Sequence, residues 1–422
     1  MNVPKLRFPE FWDAGDWEEK RLGVLAEKIS DGIHSTPIYD ENGQYYFVNG
    51  NNLTDNRIEI NESTKRVGEA EYLKYRTELS TQTILISING TIGNLAFFNG
   101  EKVILGKSAC YINLKTNENK YFIFNLLKTS SITSYFEKEL TGSTIKNLSL
   151  TSIKNAKAFF PIPAEQQKIA DCLSSISDRI TAETQKLDTL KAHKKGLMQQ
   201  LFPAESETLP KLRFPEFHDA EEWEENPLGN KTIKVGSGIT PNGGEKNYKR
   251  KGRPFIRSQN IGWGCLLLDD VAFIDDVTHS KFSATEINEG DVFLNITGAS
   301  IGRSAVADYR VQGGNVNQHV CIIRTKKIEL NSYYLNQYLL SQYGQRQIDS
   351  FQAGGNRQGL NFAQVRSFSL PLPLIKEQKK IADCLSSLDE LIAAQAQAID
   401  TLKTHKKGLM QQLFPALDEV KG

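Results

Sequence analysis

The 422-residue sequence predicts an α+β fold laid out twice. It reads as two domains with twisted β-sheets and short helices, separated by two long helices that form an antiparallel coiled coil, with a pseudo-twofold internal repeat. Three observations carry this. Pro4–Gly23 (PKLRFPEFWDAGDWEEKRLG) returns as Pro210–Gly229 (PKLRFPEFHDAEEWEENPLG) with 15 of 20 positions unchanged. Lys168–Pro203 returns as Lys380–Pro415 with 26 of 36 unchanged. The stretches between are mixed in pattern and have diverged. The implied layout is a first domain over residues 1–160, a long helix within 161–203, a second domain over 204–372, and a second helix within 373–422.

Each opening segment leads into a variable middle. TILISI (Thr83–Ile88), KVILG (Lys102–Gly106), DVFLNI (Asp291–Ile296) and HVCIIR (His319–Arg324) are short, rich in β-branched residues and bounded by Gly, Asn or Asp, as strands are. Tyr121–Leu140 and Ser332–Ile348 have the spacing and length of single helices. Two faint landmarks survive in both middles in the same order. SINGTIGN (Ser87–Asn94) answers NITGASIGR (Asn295–Arg303), and GSTIKNLSLTSIKN (Gly142–Asn155) answers GGNRQGLNFAQVRS (Gly354–Ser367).

The closing segments carry a heptad seam. Apolar residues recur at Ile169, Leu173, Ile176, Ile180, Leu187, Leu190, Leu197 and Leu201. The second copy has Ile381, Leu385, Leu388, Ile392, Ile399, Leu402, Leu409 and Leu413. PIP (Pro161–Pro163) and PLP (Pro371–Pro373) stand ahead as start signals, and Pro203 and Pro415 as stops. A helix of about 37 residues is about 55 Å long, so its apolar stripe needs a partner. The other copy in the same chain is the natural one. Glu183 with Gln395, and Lys194 with Lys406, interrupt the seam at matching places, as register-setting polar residues do. His193 and His405, beside lysine pairs near the helix ends, read as complements to the helix dipole.

Composition excludes several classes. Hydrophobic residues make up 39% and charged residues 24%, so disorder is not expected. No apolar run suggests a signal peptide or a membrane span, and a cytoplasmic location is expected. The five cysteines form no CxxC pair, and neither a disulfide framework nor a metal site is expected. GEKVILGKS (Gly100–Ser108) places five residues between its glycines where a phosphate loop needs four, and GxGxxG, HExxH and GxSxG are all missing from the sequence. No catalytic residue is assigned.

A rigid rod of that length spans about 16 base pairs, enough to hold two heads over DNA grooves. The net charge of +1 gives no bulk affinity for phosphate, so cations must be concentrated locally or come from a partner. KNYKRKGRPFIRSQN (Lys246–Asn260) concentrates them: Lys249, Arg250, Lys251, Arg253 and Arg257 lead to Gln259 and Asn260, amides that can grip adenine edges. Arg303, Asn315, Asn317 and Gln318, then Asn356, Arg357 and Gln358, extend the set in glycine-rich loops. The first head offers Asn49, Asn51, Asn52, Lys107, Ser108, Ser143, Thr144, Lys146 and Asn147. The competing reading is a coiled-coil scaffold whose heads bind other proteins.

With EQQKIADCLSS and EQKKIADCLSS, HKKGLMQQLFP twice, PKLRFPEF…W twice and the GTIG-like and GST…LS-like landmarks, the chain resembles the specificity subunits of type I restriction-modification systems over essentially its whole length. The resemblance implies two target-recognition domains reading a bipartite site in double-stranded DNA, spaced by antiparallel helices. It also implies a non-catalytic subunit without a cofactor of its own. Two modification subunits would bring S-adenosylmethionine and methylate adenine, and two restriction subunits would use ATP and Mg.

Overall fold

The computed structural model of the chain describes residues 2–54, 56–142, 146–241, 244–352 and 359–415. The chain divides into two compact units that do not follow chain order. One is Met1–Glu183 with Ala398–Gly422, and the other is Thr184–Gln397. Each unit therefore holds a head, the start of one long helix and the end of the other.

Both heads have the same topology. In the first unit a four-stranded antiparallel sheet runs in the order Ala26–Asp31, Ala109–Leu114, Thr83–Ser87, Leu95–Phe97. In the second unit the order is Thr232–Ser237, Val320–Thr325, Val292–Asn295, Ser304–Val306. Thr83–Ser87 and Val292–Asn295 are buried at every residue, because both sheet faces are covered. Side chains alternate between faces. Ile84 and Ile86 join the helical core while Leu85 joins a second core, and Val292 and Leu294 are separated from Phe293 in the same way. That second core lies under a three-stranded mixed sheet, Arg66–Val67, Tyr45–Val48, Val103–Leu105 in one unit and Ala272–Ile274, Arg253–Ile256, Asn315–Val316 in the other.

The structure changes two details of the sequence reading. Tyr121–Leu140 and Ser332–Ile348 each hold two helices: Lys120–Leu127 and Ser130–Lys138, then Ser332–Leu340 and Gln342–Ser350. Thr129 and Ser341, in extended conformation, restart the chain, and the Ser341 hydroxyl accepts from the Gly344 amide. The long helices are Pro163–Leu201 and Ile375–Leu413, 39 residues each. Hence Pro161 corresponds to Pro373, and Pro371 belongs to a strand, Ser369–Leu372. Gln166 and Gln378 mark the equivalence by donating back to the Pro161 and Pro373 carbonyls, at 2.9 and 3.0 Å.

Within each unit the two helices run in opposite senses. In the first, Ile169 and Leu173 share a core with Leu413 and Phe414, and further along the Lys406 ammonium donates to the Ser177 hydroxyl at 2.6 Å. In the second, Ile381 and Leu385 share a core with Leu201 and Phe202, and Lys194 meets both oxygens of Asp389 at 2.6 and 2.7 Å. Every apolar seam residue is buried or half-buried, and Gln395 is buried at its polar interruption. His193 and His405 are exposed.

The repeated opening segment ties each head to its helices. Arg7 donates through Nε and Nη2 to the two oxygens of Glu165, at 2.9 and 2.8 Å, at the start of one helix. The neighbouring Leu6 amide donates at 2.9 Å to the Gln412 carbonyl at the end of the other. Arg213 with Glu377 (2.8 and 2.9 Å) and the Leu212 amide with the Gln200 carbonyl (2.9 Å) repeat this in the second unit. The opening segment thereby takes up a carbonyl that the helix end leaves without an intrahelical donor. Burial alone would lower each arginine's pKa, but hydrogen bonding to its glutamate raises it.

Candidate nucleic-acid interface

Four loops meet at one edge of the central sheet in each head. In the first head they are the Asn49–Asn52 turn, the loop after Thr83–Ser87, the Gly106–Ser108 turn, and the chain around Asn147. The Ser108 hydroxyl donates to Asn49 Oδ1 and accepts from the Gly50 amide, both at 2.9 Å. Asn89 donates to the Lys107 carbonyl at 3.3 Å and forms an isolated bridge with Asn147.

The second head assembles the equivalent loops. Asn295 donates to the Ser258 carbonyl at 2.8 Å, Thr297 Oγ1 lies 2.6 Å from His319 Nδ1, and Thr297 bridges Gly359. The two faint sequence landmarks are thus neighbours in space. Leu148 and Leu360 pair through their amides with the carbonyls of Ile88 and Ile296, at 2.9 and 2.8 Å. Glycine persists in the first landmark because Gly90 and Gly93, like Gly298 and Gly302, have positive φ between 72° and 86°.

Exposure sorts the candidate side chains. Asn51, Lys107, Lys146, Lys249, Arg250, Lys251, Gln259 and Gln318 are exposed, and Asn49, Ser108, Asn147, Arg253, Arg257 and Arg303 are half-buried. Ser143, Thr144, Asn356, Arg357 and Gln358 lie outside the described residues. Four asparagines have structural duties within the loops. Asn52 and Asn260 cap equivalent turns: each Oδ1 accepts at 3.0 Å from the backbone of residue 49 or 257, and each amide group donates to a carbonyl across the loop. Asn315 is buried against His279, Thr285 and the Phe282 carbonyl. Asn317 is buried and its Oδ1 accepts the His319 amide at 3.0 Å. These bonds correct the reading of Asn260 and Asn315 as base contacts: both hydrogens of each amide nitrogen are donated inside the loop, so neither has a donor free for a base.

The basic stretch of the second head is partly neutralised. Arg253 pairs with Asp276 at 2.6 Å, Arg257 with Asp270 at 3.2 Å, and Lys249 with Asp275 at 3.6 Å. The Thr278 hydroxyl and amide, and then Lys249, hold the Asp275 carboxyl below its ordinary range. Arg250 and Lys251 are exposed and carry no ion pair among the described residues. Sequence reasoning did not single out Asn89, Thr297 or His319 as site residues. All three stand on this edge, and a lone polar residue in a glycine-rich loop gives no signal of that.

Among the described residues no group of three or more His, Cys, Asp or Glu side chains could hold a metal ion, and no helix is long and apolar enough to cross a membrane. What the fold presents is a pair of like-built heads with unlike, polar, glycine-shaped loop edges, the architecture of a modular recognition protein. The family model for the type I restriction modification DNA specificity domain matches residues 14–192 and again 221–404, and the chain belongs to that family. It is similar to the type I restriction enzyme MjaVIII specificity subunit of Methanocaldococcus jannaschii, 23% identical over 99% of this chain and 95% of that one. The crystal structure of the type I S subunit from M. genitalium superposes with a TM-score of 0.61 at 17% identity, covering 98% of this chain and 99% of that one. A chain from a study of complex assembly and conformational transition in the type I R-M system superposes at 0.54 with 16% identity, covering 94% and 97%. The chain is a type I specificity subunit with two recognition domains.

Proposed function

We propose that the two heads read the two halves of an asymmetric, interrupted site in double-stranded DNA, and that the paired long helices set the gap between those halves. The observation behind this reading is that the two heads share one topology and one set of clamps, yet differ at the four loops of the exposed sheet edge. In this reading the chain is non-catalytic and works in the cytoplasm. Two modification subunits supply S-adenosylmethionine-dependent methylation of adenine, and two restriction subunits supply ATP- and Mg-dependent translocation and cleavage. The neutralised cations of the second head fit such a division of labour, because a subunit of net charge +1 takes much of its phosphate affinity from partners.

Methylated adenines mapped in cells carrying the methyltransferase partner, with and without this chain, test the reading. A single interrupted motif that depends on the chain is expected, and methylation indifferent to the chain would refute it. The gap has its own test. One heptad added to both helices extends each by about 10 Å. The preferred gap then grows by roughly three base pairs at 3.4 Å each.

A further inference from the structure

The first head contains a small polar cavity of about 210 Å³ directly behind its Asn49–Asn52 turn. It is lined by residues of that turn and of the Glu59–Lys65 stretch, together with Tyr39 and Phe47. Tyr39 is 44% exposed, and its ring lies 6.1 Å from that of Phe47. The Lys65 ammonium stands 5.8 Å from the Tyr39 ring centre.

The second head has the same aromatic floor with a lid of its own. Tyr248 packs on Phe255 with ring centres 5.5 Å apart. Phe255 occupies the place of Phe47 in the equivalent strand, since each sits second from the end of a strand paired in parallel with the next. Arg257, the cap position equivalent to Asn49, lays its guanidinium 5.5 Å from the Tyr248 ring centre and donates at 2.6 Å to the Asp270 carbonyl. A planar, hydrogen-bonding group thus covers the ring in the second head. In the first head Asn49 is too short to do so, and the cavity is open.

The polar groups of the open cavity are only partly used. Asn61 Oδ1 accepts from the Ser63 amide and hydroxyl, at 3.0 and 2.7 Å, and Asn49 Oδ1 accepts from Ser108. The amide nitrogens of Asn49 and Asn61, and the whole side chain of Asn51, have no partner among the described residues. An aromatic face with carboxamides around it matches a flat group with hydrogen-bonding edges.

We infer that this cavity receives one nucleobase drawn out of the stack of the bound DNA, with Tyr39 beneath its face and Asn49, Asn51 and Asn61 along its edge. The inference rests on the reading that the heads bind DNA. A base fits better than a partner's arginine, because Lys65 already places a cation beside the ring and carboxamides serve the mixed donors and acceptors of a base edge. An unstacked base is held by stacking on an aromatic side chain and by hydrogen bonds to its edge.

The test uses the full chain with its methyltransferase partner and a duplex containing the mapped site. 2-Aminopurine is moved through every position of both strands, and unstacked thymines are probed with permanganate. The adenine presented for methylation is known from the map and set aside. The expected result is a several-fold rise in fluorescence, or a permanganate-reactive thymine, at one further position in the half-site of the first head. Tyr39→Ala and Asn49→Arg, which imports the second head's lid, should abolish that signal, and Asn51→Ala should weaken it. Asn51→Ala removes an exposed side chain without partners, so it keeps the test valid if either other variant fails to fold, as judged by thermal unfolding. Duplex bound without any extra unstacked position overturns the inference, as does a signal that all three variants leave intact. Failure to bind the duplex at all overturns the DNA-reading function itself and is recognised by absent binding rather than absent unstacking. Loss of methyltransferase binding on Tyr39→Ala without DNA would assign the cavity to a protein side chain and also overturn the inference.

Discussion

The two heads hold to their helices in the same way and face outward differently. Arg7 with Glu165 and Arg213 with Glu377 agree to within 0.1 Å in each contact, and Glu10–Lys168 repeats as Glu216–Lys380. At the sheet edge the match ends: Asn49 faces an open cavity while Arg257 closes its own. Identity persists where a side chain pairs head with helix, because a change on one side strands a charge on the other. It lapses where a loop side chain meets only solvent or a ligand.

The largest expected effects test the shared part. Arg7→Ala and Arg213→Ala each leave a carboxylate that is 1% exposed without its cation, which costs about 3–5 kcal/mol. Chemical unfolding followed by a probe in each head should show equal losses, each confined to its own unit. A loss in only one head would break the equivalence of the clamps. Replacing the glutamate as well should recover part of the loss, since no buried charge is then left alone.

Intermediate effects separate scaffold from reader inside one loop system. Asn260→Ala removes a buried amide that satisfies three backbone groups, and should destabilise the second head by about 1–3 kcal/mol. Arg250→Ala, on an exposed side chain, should leave stability within about 0.5 kcal/mol. It should instead lower DNA affinity and reduce the slope of log K against log salt by about one. Titration of binding across salt concentrations checks this, and an unchanged slope would remove Arg250 from the phosphate contacts.

The halves of the molecule were unequally legible in the sequence. The long helices could be read because leucine and isoleucine recur at steps of three and four, broken only at the two matching polar positions. The opening segment was visible as a repeat, but its work was not. Arg7 and Glu165 are 158 residues apart, and no local pattern reports a pairing at that distance. The loops of the sheet edge stand out in the sequence by their glycines and amides, yet sequence could not tell Gln259, which is exposed, from Asn260, which is 1% exposed, since side-chain direction in a turn is set by the capping bond. The split of Tyr121–Leu140 into two helices was hidden because Thr129 and Ser130 fit a helix pattern as well as a cap.

The smallest predicted difference lies on the seam itself, at two equivalent lysines. Lys194 is answered by the Asp389 carboxylate, whereas Lys406 is answered by the Ser177 hydroxyl, a neutral group at the corresponding place. Burial therefore lowers the pKa of Lys406, and the nearby Asp178 only partly opposes the shift. Between that lowered value and the ordinary lysine value of about 10.4, the unfolded chain holds more protons at this residue than the folded one, so stability should rise with pH in that window. Lys406→Met should remove the rise, and Ser177→Asp should flatten it by restoring the charge partner that the second unit has. The gain in stability from Ser177→Asp at neutral pH should be about 1 kcal/mol or less, as for partly solvated pairs. Unfolding of the first unit followed from neutral to alkaline pH in the three proteins checks the sign. A slope that survives Lys406→Met would place its origin in another group and leave the two seam lysines equivalent.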